Sequence, residues 1–306
     1  MNRVSGVSGF SLLPEGCISE IIALTSPRDA GRASAISSAF KSAAEFDSVW
    51  EKFLPSDYPE IISRSVSPVV YSTKKELYFL LCDTPILLDG SNLSFILNKW
   101  SRKKCYMLRA RELSIVWGDT PDYWEWTSLP ESRFPEVAKL LRVCWLAIGG
   151  KMQTQMLSPK TTYAAYLVFK LAEWNRGLDV PSKASVGIVA ESQEGAEDSN
   201  HTVYLKLATD RPQPLRGLRR RAARQPNGRL PQKRVDGWME IELGEFFNDL
   251  GDDGEVEMQL NGTQQGHWKT GLIVEGIELR PKDLIKKKKK CFGLKRRSKL
   301  KRYTCT

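Results

Sequence analysis

Apolar positions take two textures along this chain. Between residues 12 and 56 they recur at helical spacing; from Cys105 onward they come in short runs that alternate with polar residues. In the first stretch Leu13 and Pro14 open a helix, because a proline in the first turn has no N–H to leave unpaired. Ile18, Ile21, Ile22 and Leu24 then follow at helical spacing. Ser26-Pro27 marks a second helix start, with Asp29 near the positive end of the dipole. Asp47 is placed to cap a third segment that carries Val49, Trp50, Phe53 and Leu54. The second helix is rich in small residues (Gly31, Ala33, Ser34, Ala35) and needs tertiary support to form. A unit this short cannot bury all of its large apolar groups, so some are left for a partner helix.

Residues 57–104 read as a connecting region. It contains a short helix over 75–82, a turn at Pro85 and a buried segment over 95–100. Beyond it, apolar runs at 113–117, 143–148, 163–171, 186–189, 203–207, 238–243, 256–260 and 272–279 are separated by Gly, Pro, Asn and Asp. In one of them Trp238, Glu240 and Glu242 oppose Met239, Ile241 and Leu243; in another Glu255, Glu257 and Gln259 oppose Val256, Met258 and Leu260. That alternation is the mark of a half-buried strand, and many such strands make an all-β sandwich or barrel. The fold class expected is α+β and multidomain: a three-helix unit at 8–56, the connector, a β-sandwich at 105–282 and a basic tail at 283–306.

Charge sharpens this division. The formal net charge is +10, but residues 286–302 hold 11 lysines and arginines and no acid. Without them the body has 35 basic and 36 acidic residues, a net of −1. The tail, Lys286 to Arg302, is expected to be extended by self-repulsion. It reads as a nuclear-import signal, a polybasic membrane contact, a nonspecific nucleic-acid contact or a solubilising extension, with nucleic acid as a main partner disfavoured by the neutral body. A second basic run, from Arg216 to Arg234, lies among prolines and reads as a long surface loop. No run is long and apolar enough for a transmembrane helix, and Met-Asn-Arg-Val-Ser-Gly lacks the apolar core of a secretory signal. The six cysteines form no Cys-x-x-Cys pair and there are two histidines, so neither a metal site nor a disulfide scaffold is expected.

The helical stretch resembles an F-box, in particular the plant type that precedes a phloem protein 2 domain. The residues that carry the resemblance are Leu13-Pro14-Glu15-Gly16-Cys17-Ile18, Ser26-Pro27-Arg28-Asp29-Ala30, Ser37-Ser38-Ala39-Phe40 and Val49-Trp50-Glu51-Lys52-Phe53-Leu54-Pro55-Ser56. Residues 105–282 resemble the phloem protein 2, or Nictaba-like, lectin domain. The matching motifs include Arg111-Glu112-Leu113-Ser114-Ile115-Val116-Trp117-Gly118-Asp119, Ser132-Arg133-Phe134, Tyr163-Ala164-Ala165-Tyr166-Leu167-Val168-Phe169-Lys170 and Gly276-Ile277-Glu278-Leu279-Arg280-Pro281. The first resemblance implies docking on a Skp-type adaptor and, through it, a cullin-based ubiquitin ligase. The second implies a jelly-roll-like sandwich that binds N-acetylglucosamine-containing glycans without a metal.

Candidate sites follow. Leu13, Pro14 and Ile18 are expected at the adaptor interface, with Trp50 and Phe53 nearby as packing or contact residues. Trp117 and Trp124 flank the turn-rich Gly118-Asp119-Thr120-Pro121-Asp122, where indoles can stack on the C–H faces of sugar rings. The resemblance implicates two tryptophans at this spacing in glycan binding. Trp124 is expected to contact ligand, Trp117 is open between core and ligand, and Trp126 is core or rim. Asp119 and Asp122 are local candidates to hold sugar hydroxyls. Glu240, Glu242, Glu255 and Glu257 read as solvated faces. His201 and His267 have no evident nucleophile beside them, and Gly149-Gly150 lacks the spacing of a phosphate loop. No cofactor and no catalysis are expected. The function expected is a ligase subunit that presents a glycoprotein, at work in nucleus and cytoplasm. The rivals are an F-box adaptor that recognises a protein surface without sugar, and a carbohydrate-binding protein that acts alone.

Overall fold

The computed structural model describes residues 13–189, 200–207, 227–251, 254–262 and 266–282. The basic tail at 283–306, residues 8–12 and most of the second basic run lie outside the described residues.

Six helices come first: α1 (Glu15–Ala23), α2 (Pro27–Ala33), α3 (Ser38–Ala44), α4 (Asp47–Glu51), α5 (Tyr58–Ser63) and α6 (Lys74–Asp83). The expected cap of α2 is present, with the Ser26 hydroxyl accepting from the Asp29 N–H at 3.2 Å. Helix α3 is an addition to the three expected. Its only large apolar side chain is Phe40, so it shows little apolar period, and its signal is Ser37, which accepts from the Phe40 N–H at 3.3 Å. Asp47 does not cap α4; its carboxylate instead accepts from the backbone N–H of Lys74 at 2.8 Å and ties α4 to the start of α6.

Fourteen strands follow: β1 (Ile86–Leu88), β2 (Leu93–Leu97), β3 (Lys104–Arg109), β4 (Ser114–Ile115), β5 (Trp124–Thr127), β6 (Val137–Leu140), β7 (Leu146–Gln153), β8 (Thr161–Arg176), β9 (Ser182–Ile188), β10 (His201–Val203), β11 (Gln232–Lys233), β12 (Met239–Asn248), β13 (Glu255–Gly262) and β14 (Thr270–Pro281). They form two antiparallel sheets. The larger runs β1-β2-β3-β14-β8-β12-β11, with β6 also on β14 and β5 on β6; the smaller runs β10-β9-β13-β7-β4. An α+β chain with a helical unit followed by an all-β sandwich is therefore what forms.

The connector is part of the larger sheet. Strand β2 pairs with β3 over five residues, Leu93 opposite Leu108 to Leu97 opposite Lys104. At 85–88 the chain enters β1 rather than ending in a turn, and of the 95–100 segment Trp100 is exposed at a hairpin tip. The helical unit is stapled to this sheet. Arg64 grips Asp89 through two hydrogen bonds of 3.0 and 2.6 Å, and the Val66 N–H donates to the Leu87 carbonyl. One apolar core runs without a break from Val49, Trp50 and Leu81 through Leu88 and Phe95 to Tyr163 and Leu279. Orientation of one unit against the other is thus set by shared sheet and shared core, not by a linker.

Candidate functional site

The first candidate surface is on the helical unit. Ile18, Trp50 and Phe53 are buried in its core. The Trp50 indole N–H donates to the Ala44 carbonyl at 2.8 Å, and its ring meets Phe53 edge-on at 5.6 Å and tilts against Tyr78 and Phe79. These three therefore form the support of the unit, not its docking face; a side chain already enclosed by its own chain has no area left for a partner. Leu13 is half-buried and Pro14 exposed. The large apolar side chains that face solvent among the unit's described residues are Ile21, Leu24 (87% exposed), Ile36 (67% exposed) and Phe46. Ile21 and Leu24 lie at i, i+3 on one face of α1. Leu24 and Ile21 belonged to the helical period seen in the sequence, but period alone does not say which member of a stripe is left uncovered.

The second surface is at one end and one face of the sandwich. The loop between β4 and β5 is held by two indoles of β5. Trp124 donates to the Val116 carbonyl at 3.2 Å and Trp126 to the Gly118 carbonyl at 2.9 Å. Trp124 is only 2% exposed, so the expectation that it meets ligand is corrected: it is a core residue whose polar edge positions the loop. Trp117, on that loop, is 43% exposed and adopts φ +58, a left-handed conformation that costs a tryptophan energy. Its ring rests on Tyr123 at 5.4 Å. Asp119 and Asp122 are exposed beside it, Asp119 within 3.7 Å of Arg111.

Trp145, just before β7, is 54% exposed. Its neighbour segments are pinned by Lys269, which is itself buried and donates to the carbonyls of Cys144 and His267 at 3.0 Å each. Burial lowers the pKa of this lysine. Trp268, on the loop before β14, and Trp174, near the end of β8, are also exposed. Gly177 sits at φ +69 directly against the Trp268 carbonyl, where a Cβ would overlap it. Val143 bridges Lys269, which sets Trp145 and Trp268 at neighbouring strand starts, and the Val116 N–H donates to the Ala147 carbonyl, which brings the Trp117 loop to the start of β7. Sequence alone does not single out these indoles, because a run such as 143–148 does not say which of its members faces solvent.

From this end a trough of about 370 Å³ runs along the outer face of the smaller sheet. Alternation of burial along β7 and β13 sends Ala147, Gly149 and Lys151 to this face together with Glu257, Gln259 and Asn261. Ser114 and Val116 close the β4 side. Asn261 donates to Gln259 at 3.2 Å, and Lys151 lies between Glu255 at 3.3 Å and Glu257 at 3.8 Å. Gly149 leaves the floor open beside these amides and carboxylates, which together supply both donors and acceptors. Glu255 and Glu257 are half-buried in ion pairs, not free on a solvated face.

Glu240 and Glu242 also depart from the expected solvated face. On the larger sheet, Arg234 reaches Glu240 at 3.0 Å and Glu278 at 2.6 Å, while Arg280 grips Glu240 and lies over the Tyr166 ring at 3.8 Å. Glu242 accepts from Lys282 at 3.2 Å. Burial pushes the Glu278 carboxyl up, but Arg234, Arg280 and Arg133 outweigh it and hold its pKa below the usual value. Nearby Glu275 has its pKa raised by burial; one oxygen accepts from Ser132 and from the Arg133 N–H, and the other has no partner among the described residues. Arg234 was expected in a surface loop; residues 227–234 instead return to the sheet, with β11 pairing β12. This cluster is structural: it stitches β11, β12 and β14 and the 128–136 loop.

Comparison with known proteins gives the family. Residues 103–281 match the family described as Phloem protein 2. F-box protein PP2-B10 of Arabidopsis thaliana is 47% identical over 281 residues, covering 91% of this chain and 96% of that protein. Putative F-box protein PP2-B2 of the same plant is 46% identical over 280 residues, covering 91% and 85%.

Proposed function

The chain belongs to the phloem protein 2 family, among its plant F-box proteins, and from that premise we propose that it is the substrate-recognition subunit of an SCF-type cullin ubiquitin ligase. Its helical unit binds a Skp-type adaptor, and its sandwich binds glycoproteins through N-acetylglucosamine-type glycans. The ligation chemistry belongs to other subunits, and the chain acts as a non-catalytic adaptor in nucleus and cytoplasm.

The observation that carries the adaptor half is Leu24 and Ile36, large apolar groups left in solvent by a bundle whose core is otherwise closed. Groups of this kind gain most when a partner helix covers them, at ~25 cal/mol per Å² of apolar area. The glycan half rests on the juxtaposition of exposed Trp117 and Trp145 with the amide-lined trough beside them. Indole faces stack on sugar C–H faces, and the paired amides of Gln259 and Asn261 suit the hydroxyl and acetamido groups of N-acetylglucosamine. Asp119 and Asp122 stand at the rim to hold further hydroxyls.

One observation favours a second reading. Trp124, one of the two tryptophans implicated by resemblance, is buried. With one of the two implicated positions closed to ligand, recognition of a protein surface, with sugar binding lost, is the alternative. Titration of the full chain with N-acetylglucosamine oligomers separates the two: heat of binding that vanishes on Trp117 substitution supports the glycan reading, and silence supports the protein-surface reading. Copurification of a Skp-type adaptor and cullin separates both from a carbohydrate-binding protein that acts alone.

A further inference from the structure

A second cleft lies where the helical unit meets the sandwich, and it is electrically unlike the trough. Its volume is about 490 Å³. One wall is the end of α4 and the turn after it, 52–57; the other is the β2–β3 hairpin turn, closed by loops 155–159 and 250–251. Its lining includes four cations, Lys52, Arg102, Lys103 and Lys104, and a single carboxylate, Asp57. Lys104 is buried and bound to Asp57 at 2.9 Å, so that pair is complete. Lys52, Arg102 and Lys103 have no ion-pair partner among the described residues. Lys103 donates to the Pro159 carbonyl at 3.0 Å, and Arg102 lies 5.4 Å from the Phe53 ring and 3.5 Å from the Lys52 carbonyl. Burial, and after it the Arg102 charge, lowers the pKa of Lys103.

The hairpin turn is built to present this group. The Asn98 carboxamide oxygen accepts from the N–H groups of Trp100 and Ser101, and the Asn98 carbonyl accepts from the Arg102 N–H at 2.8 Å. Arg102 is thereby held at φ +60, a conformation that glycine would occupy without cost. Stability alone would favour glycine at this position and fewer like charges around it. Both features make sense if an anion occupies the cleft.

We propose that this cleft binds a small, multiply phosphorylated anion. Three cations from two structural units converge on a volume that suits a small molecule. The planar guanidinium of Arg102 pairs with phosphate through two N–H groups, and the two ammonium groups act as point charges beside it. An anion there bridges Lys52 of the helical unit to Arg102 and Lys103 of the sheet and adds to the joint that the shared core already makes.

The test is calorimetric titration of the full chain with inositol hexakisphosphate, with orthophosphate in parallel, at two salt concentrations. The basic tail attracts any polyanion, so the comparison is with Lys52→Ala, Arg102→Gly and their double variant, which all keep the tail. Arg102→Gly suits the backbone at φ +60, and Lys52 is exposed, so both variants fold. The double variant is expected to bind inositol hexakisphosphate about tenfold more weakly or worse, which is a change of ~1.4 kcal/mol. The melting temperature of the wild type should rise with ligand, and this rise should shrink in the variants. Vesicles carrying a phosphoinositide form a second arm: variant-sensitive binding there, without a response to the soluble probe, assigns the phosphates to a lipid headgroup. Equal binding by wild type and double variant in both arms, or no binding by the wild type, overturns the proposal.

Discussion

Replacing Trp117 by glycine separates the two roles that a tryptophan in this loop can have. Its backbone is at φ +58 and its ring is 43% exposed, with Tyr123 as a neighbour. A non-glycine residue in the left-handed region costs roughly 1–2 kcal/mol. Glycine removes that cost but gives back about 0.5–1 kcal/mol through the freedom of its unfolded chain. Loss of the Trp117–Tyr123 contact removes about 0.5–1.5 kcal/mol. Trp117→Gly should therefore be near neutral in stability, while Trp117→Ala keeps the strain, loses the contact and is less stable by about 1 kcal/mol. In a protein of this size that gap is roughly 2–4 °C in melting temperature. Both variants should lose binding to N-acetylglucosamine oligomers by about tenfold. Trp124→Ala should behave in the opposite way, costing about 3–5 kcal/mol because its indole is enclosed. Thermal melting and calorimetric titration of the three variants suffice. Undiminished binding in a stable Trp117→Gly would remove the ring from the sugar site, and a melting point below that of Trp117→Ala would refute the strain argument.

Other expectations are as direct. Leu24→Ser with Ile36→Ser should abolish adaptor pull-down while shifting stability by no more than about 0.5 kcal/mol, whereas Ile18→Ala should cost about 2–5 kcal/mol because its side chain is enclosed; a pull-down unchanged by the double variant would move the docking face elsewhere. Arg234→Met leaves Glu240 buried with Arg280, and Glu278 with Arg280 and the more distant Arg133, at a cost of about 3 kcal/mol by urea unfolding. Because the Glu278 pKa is lowered in the fold, its contribution is complete above the usual glutamate value and is lost as pH falls through the folded one, so melting profiles of Arg234→Met should be flatter in acid. Glu275 has the opposite sign: its raised pKa imposes a penalty that grows as pH climbs from the usual value through the folded one. Glu275→Gln should raise the melting temperature near neutrality and give no gain in acid, and a pH-independent effect would mean that burial of its charge is not the cause.

Much of this architecture was legible before any coordinates. Periodicity located α1, α4 and α6 and seven of the strands, because each carries apolar residues at a regular spacing, and the Ser26-Pro27 start located α2. Helix α3 escaped because alanines and serines make contacts without making a pattern. Strands β5 and β6 escaped because they are four residues each, and β5 looked like a loop rim where it is an edge strand paired with β6. The site was half legible. Trp117, Asp119 and Asp122 are where the motif suggested, but Trp124 is turned inward by one hydrogen bond to Val116, which sequence spacing cannot show. The trough depends on pairing β13 with β7, residues roughly a hundred positions apart along the chain. Glu240 looked solvated because alternation put it opposite the core; the arginines that bury it come from β14 and from the segment leading out of the basic run.

The central claim is that one chain holds a Skp-type adaptor with its helices while its sandwich holds a glycan. It is tested most directly by passing the purified complex of the full chain and a Skp-type adaptor over immobilised N-acetylglucosamine oligomers and eluting with the free sugar. The account predicts that adaptor and chain are retained together and leave together, and that Trp117→Gly sends the intact complex into the flow-through. Retention of the chain with loss of the adaptor, or passage of the wild-type complex straight through the column, would contradict it.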